Sequence, residues 1–112
     1  MTKYPYYIER AKNLQQIYDY FGFRTQAEKL KEECQEFADA YVAWVMSDWS
    51  TPAWDDLIEE LADVTIVLTQ LKNQMMRLDQ SGTFFEQLDA AIEAKIKRTR
   101  ERIESGYYND QV

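Results

Sequence analysis

Two pairs of acidic side chains have the spacing of a metal site: Glu33 with Glu36, and Glu60 with Asp63. A helix turns about 100° per residue, so each pair lies on one flank of its helix. With Leu30 as zero, Glu33 falls near about 300° and Glu36 near about 240°. With Leu57 as zero, Glu60 and Asp63 fall at about the same two angles. In an antiparallel hairpin, residues stand level when their numbers add to a constant, and Glu33 with Asp63 and Glu36 with Glu60 both add to 96. Four carboxylates then converge between two helices. Like charges that close raise one another's pKa, and a divalent cation relieves the repulsion. Oxygen-only ligands suit Mg²⁺ or Mn²⁺, and no EF-hand spacing is present. The plainer account is that these acids are the wet edge of two ordinary helices.

The elements that must position these acids are legible as apolar stripes. Ile8, Ala11, Leu14, Tyr18 and Phe21 recur at helical spacing, with Gly22 as the expected C-terminal cap. A second helix is expected from Thr25, in a capping box with Glu28, through Leu30, Cys34, Phe37, Tyr41 and Val45. After a loop over 47–51, a third opens with Thr51 as cap and Pro52 at the first helical position. It carries Leu57, Leu61, Val64, Leu68, Leu71 and Met75, and is expected to end near Asp79. A fourth stripe, Phe85, Leu88, Ile92, Ile96, Thr99 and Ile103, runs to Gly106. The expected fold is all-α, an antiparallel four-helix bundle forming a single domain over 1–112, with the tail 107–112 loosely held.

Composition removes several kinds of chemistry. The chain has 13 basic and 20 acidic residues, a net charge of −7, which opposes binding to nucleic acid polymers. With no histidine and a single cysteine, histidine-based triads, the usual zinc sites and an internal disulfide are excluded. Cys34, on the apolar stripe, reads as inert core. The N-terminus lacks an apolar signal core and no run is long enough to span a membrane, so the expected location is the cytoplasm.

The fourth helix carries cations. With Leu88 as zero, Lys95, Arg98 and Arg102 fall between about 280° and 340°, on one flank, where an anion could lie across them. The alternative is that they complement the C-terminal end of the helix dipole. Trp44, Trp49 and Trp54 gather near the second loop, where one could stack on a base or all could serve packing or an interface.

In these residues the sequence resembles the MazG-like all-alpha nucleoside triphosphate pyrophosphohydrolases. Their mark is Glu-Glu-x-x-Glu on one helix and Glu-x-x-Asp on the next, here Glu32-Glu33-Cys34-Gln35-Glu36 and Glu60-Leu61-Ala62-Asp63. A later Lys95-x-x-Arg98-x-x-x-Arg102 segment extends the likeness. The resemblance implies that Glu33, Glu36, Glu60 and Asp63 bind Mg²⁺, with Mn²⁺ as a substitute. It also implies that Lys95, Arg98 and Arg102 hold a triphosphate. Glu32 would add a ligand or orient the attacking water, although its direction near about 200° points away from the stripe. Gln26 and Lys29 are similar to the family's Gln-x-x-Lys lead-in and could touch base or phosphate; a solvated first turn is the alternative. The implied reaction is hydrolysis between the alpha and beta phosphates, giving nucleoside monophosphate and pyrophosphate.

Two rivals remain open at this point. One is a specialised pyrophosphohydrolase for dUTP, dCTP or phosphoribosyl-ATP. The other is a helical adaptor whose acids serve only solubility. Ile58, Ala62, Ile66 and Val67 lie off the main stripe of the third helix, so one inward face cannot cover them all. A homodimer or homotetramer with this helix in the interface is expected.

Overall fold

The computed structural model describes the backbone of residues 4–110 and side chains from Tyr7 to Asp110. Among the described residues three helices occur in order: α1 (Tyr4–Met46), α2 (Thr51–Leu78) and α3 (Phe84–Glu104). The four expected helices are three, because the first two run on as α1 with no intervening loop. They are divided by a break at Gly22, with φ 83° and ψ 166°. That conformation is closed to residues with a Cβ, so a single glycine redirects the helix without a connecting segment. Thr25 consequently lies inside α1 rather than in front of it.

Chain contacts divide the protein into two compact units, Met1–Gln74 and Met75–Val112. The first contains α1 and most of α2. After the break in α1, the least exposed positions are Gln26, Leu30, Glu33, Phe37, Ala40 and Trp44. On α2 the matching set includes Ala53, Leu57, Glu60, Val64, Val67 and Leu71. Both alternate spacings of four and three, the pattern of two helices packed along a shared seam. Among the described residues the buried apolar ones are Tyr18, Leu57 and Val67, and the buried polar ones are Gln26, Glu33 and Gln70. Polar and apolar side chains therefore share one narrow core.

This seam is rotated from the one expected. Cys34 is exposed, not core. Tyr41, Val45, Leu61 and Leu68 are exposed as well, while Val67, assigned to another face, is 1% exposed. The apolar stripe and the packing stripe differ because glutamate and glutamine occupy positions that a hydrophobicity reading assigns to the flank.

The turn between α1 and α2 is pinned by a Schellman arrangement. Trp49 N–H donates to the Trp44 carbonyl (3.2 Å) and Asp48 N–H to the Val45 carbonyl (3.3 Å). The Trp49 ring packs on Trp44 at 4.5 Å, and Trp54 adds a third ring at 5.3 Å from Trp44. The tryptophan cluster thus has a packing role. The cap of α2 is Ser50 rather than Thr51: its carbonyl accepts from Trp54 N–H at 3.0 Å and its hydroxyl from Ala53 N–H at 3.4 Å.

The second unit repeats the C-terminal device. Gly106 N–H donates to the Ile103 carbonyl and Tyr107 N–H to the Arg102 carbonyl, with the Arg102 guanidinium 4.8 Å from the Tyr107 ring centre. Of the tail, residues 107–110 form a turn. Gln111 and Val112 lie outside the described residues. Ahead of α3, the Ser81 amide and hydroxyl both donate to Asp79 Oδ1 (3.1 and 2.6 Å). These bonds, the hydroxyl first, hold the Asp79 carboxyl below its ordinary range. On α3, Phe85, Ile92, Ile96 and Ile103 of the expected core stripe are exposed.

Asp48 and Trp49 both have positive φ, 60° and 64°. Replacing Asp48, at the position where such motifs favour glycine, should relieve strain. Asp48→Gly is expected to stabilise the protein by on the order of 1 kcal/mol, read as a higher denaturation midpoint. An unchanged or lowered midpoint contradicts the assignment.

Candidate metal centre

Glu33 projects from the second segment of α1 and Glu60 from α2, each at a seam position where the helices approach. Glu36 follows Glu33 by three residues, one turn nearer the connecting loop. Each of the three offers a carboxylate oxygen within 4.8 Å of the others; Glu33 is buried, Glu60 intermediate and Glu36 exposed. That span matches the width of a hard divalent cation's ligand sphere, at roughly 2.0–2.6 Å per oxygen.

The electrostatics identify the strained member. Burial pushes the Glu33 carboxyl above its ordinary range, and the charges of Asp63 and then Glu36 push it further. Lys29 opposes the shift, its Nζ 3.6 Å from Glu33 Oε1. Glu36 also favours the neutral form by sharing a hydrogen bond with it. One cation on one oxygen is not enough. Glu33 Oε2 and Glu60 Oε2 are buried with no hydrogen-bond partner. Unpartnered buried carboxylate oxygens are costly, and two from different helices at one place is a donor set that fits an oxygen-seeking cation.

The expected site residues divide as follows. Glu33, Glu36 and Glu60 come together. Asp63 is exposed, yet its charge acts on Glu33. Glu32 is exposed and outside the cluster; it lines an open depression of ≈ 510 Å³ with Gln26 and Lys29. Gln26 is no solvated first-turn residue: it is 1% exposed and donates from Nε2 to Gln70 Oε1 at 2.7 Å. Lys95 and Arg98 are exposed on α3, and Arg102 is partly covered. These three belong to the second unit.

Gln70 was missed, since a glutamine on a helix reads as solvated. It is 2% exposed and donates from Nε2 to the Leu14 carbonyl at 2.9 Å. The signal was available: Gln26 with Gln70 adds to 96, the same level rule that pairs the acids. Comparison with known proteins finds no matching family model, no matching curated protein and no matching solved structure.

Because Glu33 binds its proton more tightly folded than unfolded, the folded state gains from low pH. That gain is full below the ordinary glutamate value and is lost as pH rises through the raised one. In chelator, Glu33→Gln should therefore melt progressively higher than the parent as pH rises above the ordinary glutamate range. Adding Mn²⁺ should reverse the order, because the parent alone keeps the ligand. A melting difference that is independent of pH would show that Glu33 is not strained.

Proposed function

We propose that the chain is a Mg²⁺-dependent nucleotide pyrophosphohydrolase related to the MazG-like all-alpha enzymes. The observation carrying this reading is the meeting of unpartnered, buried carboxylate oxygens from Glu33 and Glu60, with Glu36 beside them. Glu33, Glu36 and Glu60 would hold the ion, with Asp63 as a further ligand. A divalent ion bound there supplies charge neutralisation at the phosphate oxygens and lowers the pKa of water.

The residues divide the remaining tasks. Lys29 holds Glu33 in orientation through its ion pair. Glu32, exposed beside the depression, can accept the proton of the attacking water. Water adds at the alpha phosphorus, the bond from that phosphorus to the bridging oxygen breaks, and pyrophosphate leaves. Lys95, Arg98 and Arg102 are the type of group that stabilises such a leaving anion. No covalent nucleophile is needed in this scheme.

The test is pyrophosphate release in Mg²⁺ across a nucleotide panel that includes dUTP, dCTP and phosphoribosyl-ATP. Glu36→Gln and Asp63→Asn, which remove ligand charge with little change of volume, should lower turnover about 100-fold or more while leaving helical circular dichroism intact. Activity within a few-fold of the parent in both variants rejects the assignment. A parent inactive on every nucleotide favours the adaptor reading.

The same reading includes self-association through α2. Leu14, Ile58, Leu61, Ala62 and Ile66 line an open groove of ≈ 550 Å³ in the first unit. Ile58 is 45% exposed, Leu61 44% and Ile66 41%, a contiguous apolar surface of the kind that marks an interface. A second copy presenting the same groove would cover it on both sides of a two-fold axis. Sedimentation at micromolar concentration should give a dimer or tetramer, and Ile66→Lys should shift it toward monomer. A monomeric parent rejects the interface, and a variant that stays associated moves the contact elsewhere.

A further inference from the structure

We propose that Gln26 and Gln70 form a register lock that holds the carboxylates in line. The link to metal binding rests on the reading above; the lock itself does not. Gln70 Nε2 donates to the Leu14 carbonyl, and Gln70 Oε1 accepts from Gln26 Nε2. Leu14 and Gln26 lie on opposite sides of the break at Gly22, so one α2 side chain ties both segments of α1 to the same point.

The direction of this relay is fixed. A backbone carbonyl can only accept, so Gln70 must turn its amide nitrogen to Leu14 and its oxygen to Gln26. Gln26 then answers with its nitrogen, and its own Oε1 is left buried without a partner. An apolar pair would carry no such penalty. A buried polar pair in a packed seam costs stability, and its attested use is to specify one alignment of two helices.

Position gives the lock its purpose. The turn at 47–50 pins the hairpin at one end. Gln26 and Gln70 stand about 20 residues away along each helix, roughly 30 Å. Glu33, Glu36, Glu60 and Asp63 lie between these two pins. With both ends held, the stretch carrying the acids can neither slide nor rotate, and the oxygens of Glu33 and Glu60 stay opposed. The glutamines touch no ligand in this scheme; they are positioning residues.

The experiment compares the full chain with Gln26→Leu/Gln70→Leu, reading melting, Mn²⁺ affinity and an inter-helix distance. Nitroxides on Ala38→Cys and Asp55→Cys, in a Cys34→Ser background diluted with unlabelled protein, report the distance within one chain. The expected result is a double variant that is helical and melts no lower than the parent. Its distance distribution should be broadened or split, and its Mn²⁺ binding about 10-fold weaker or more. A single narrow distance with parental Mn²⁺ affinity overturns the proposal, leaving the pair as ordinary core. A broadened distance with unchanged Mn²⁺ affinity also overturns it, because the lock then does not serve the acids. A parent that binds no Mn²⁺ removes the metal reading instead, and the distance alone decides the lock. If the leucine pair fails to fold, Gln26→Met/Gln70→Met, closer in shape, runs the same comparison.

Discussion

The burial of Glu33 is the constraint around which the first unit is arranged. A carboxylate at 7% exposure, with like charges facing it, opposes the association of the two helices that bury it. The surrounding features act against that opposition. Lys29 shares one oxygen, Leu57 and Val67 bury apolar surface on either side of Glu60, and the tryptophans close the turn. Glu33 Oε2 and Glu60 Oε2 are the polar atoms of the cluster that this packing leaves unpartnered. A leucine at such a position would bury without this opposition, so the glutamate there costs the fold stability.

The level rule succeeded in the sequence because it uses only chain numbering and the location of a turn, both of which survive errors in helix rotation. It paired Glu36 with Glu60, and the same constant recovers the Gln26–Gln70 hydrogen bond. Rotation about each helix axis was a harder matter. The stripe drawn through Leu30, Cys34, Phe37, Tyr41 and Val45 follows hydrophobicity, whereas the seam through Gln26, Leu30, Glu33, Phe37 and Ala40 follows packing. Where polar residues occupy a seam, the apolar stripe points away from it. The acids were therefore read as a flank when Glu33 is central.

The break in α1 was half legible for a related reason. Gly22 marked the end of a stripe, and a stripe ending at glycine reads as a helix ending in a loop. Gly22 instead turns the chain by itself, so that Leu14 and Gln26 on either side of it both reach Gln70, and Phe23 resumes the helix at once. Sequence pattern tells where helical phase is lost. It does not tell how few residues are needed to recover it. The α2 and α3 boundaries were better defined, since Leu78 precedes the Asp79–Ser81 turn and Glu104 precedes a glycine cap, each with its own side-chain chemistry.

The polar seam and the exposed apolar faces have a common origin. Each helix has a limited number of faces, and assigning the α1–α2 contact to Gln26, Glu33, Glu60 and Gln70 displaces Tyr41, Val45, Leu61 and Leu68 outward. The apolar area given up at the seam stands exposed on both helices. The groove lined by Ile58, Leu61 and Ile66 is where the displaced surface is concave, and a partner there would bury the area that the carboxylates exclude from the interior. The same placement of polar residues that builds the candidate metal centre thereby leaves apolar surface exposed on α1 and α2.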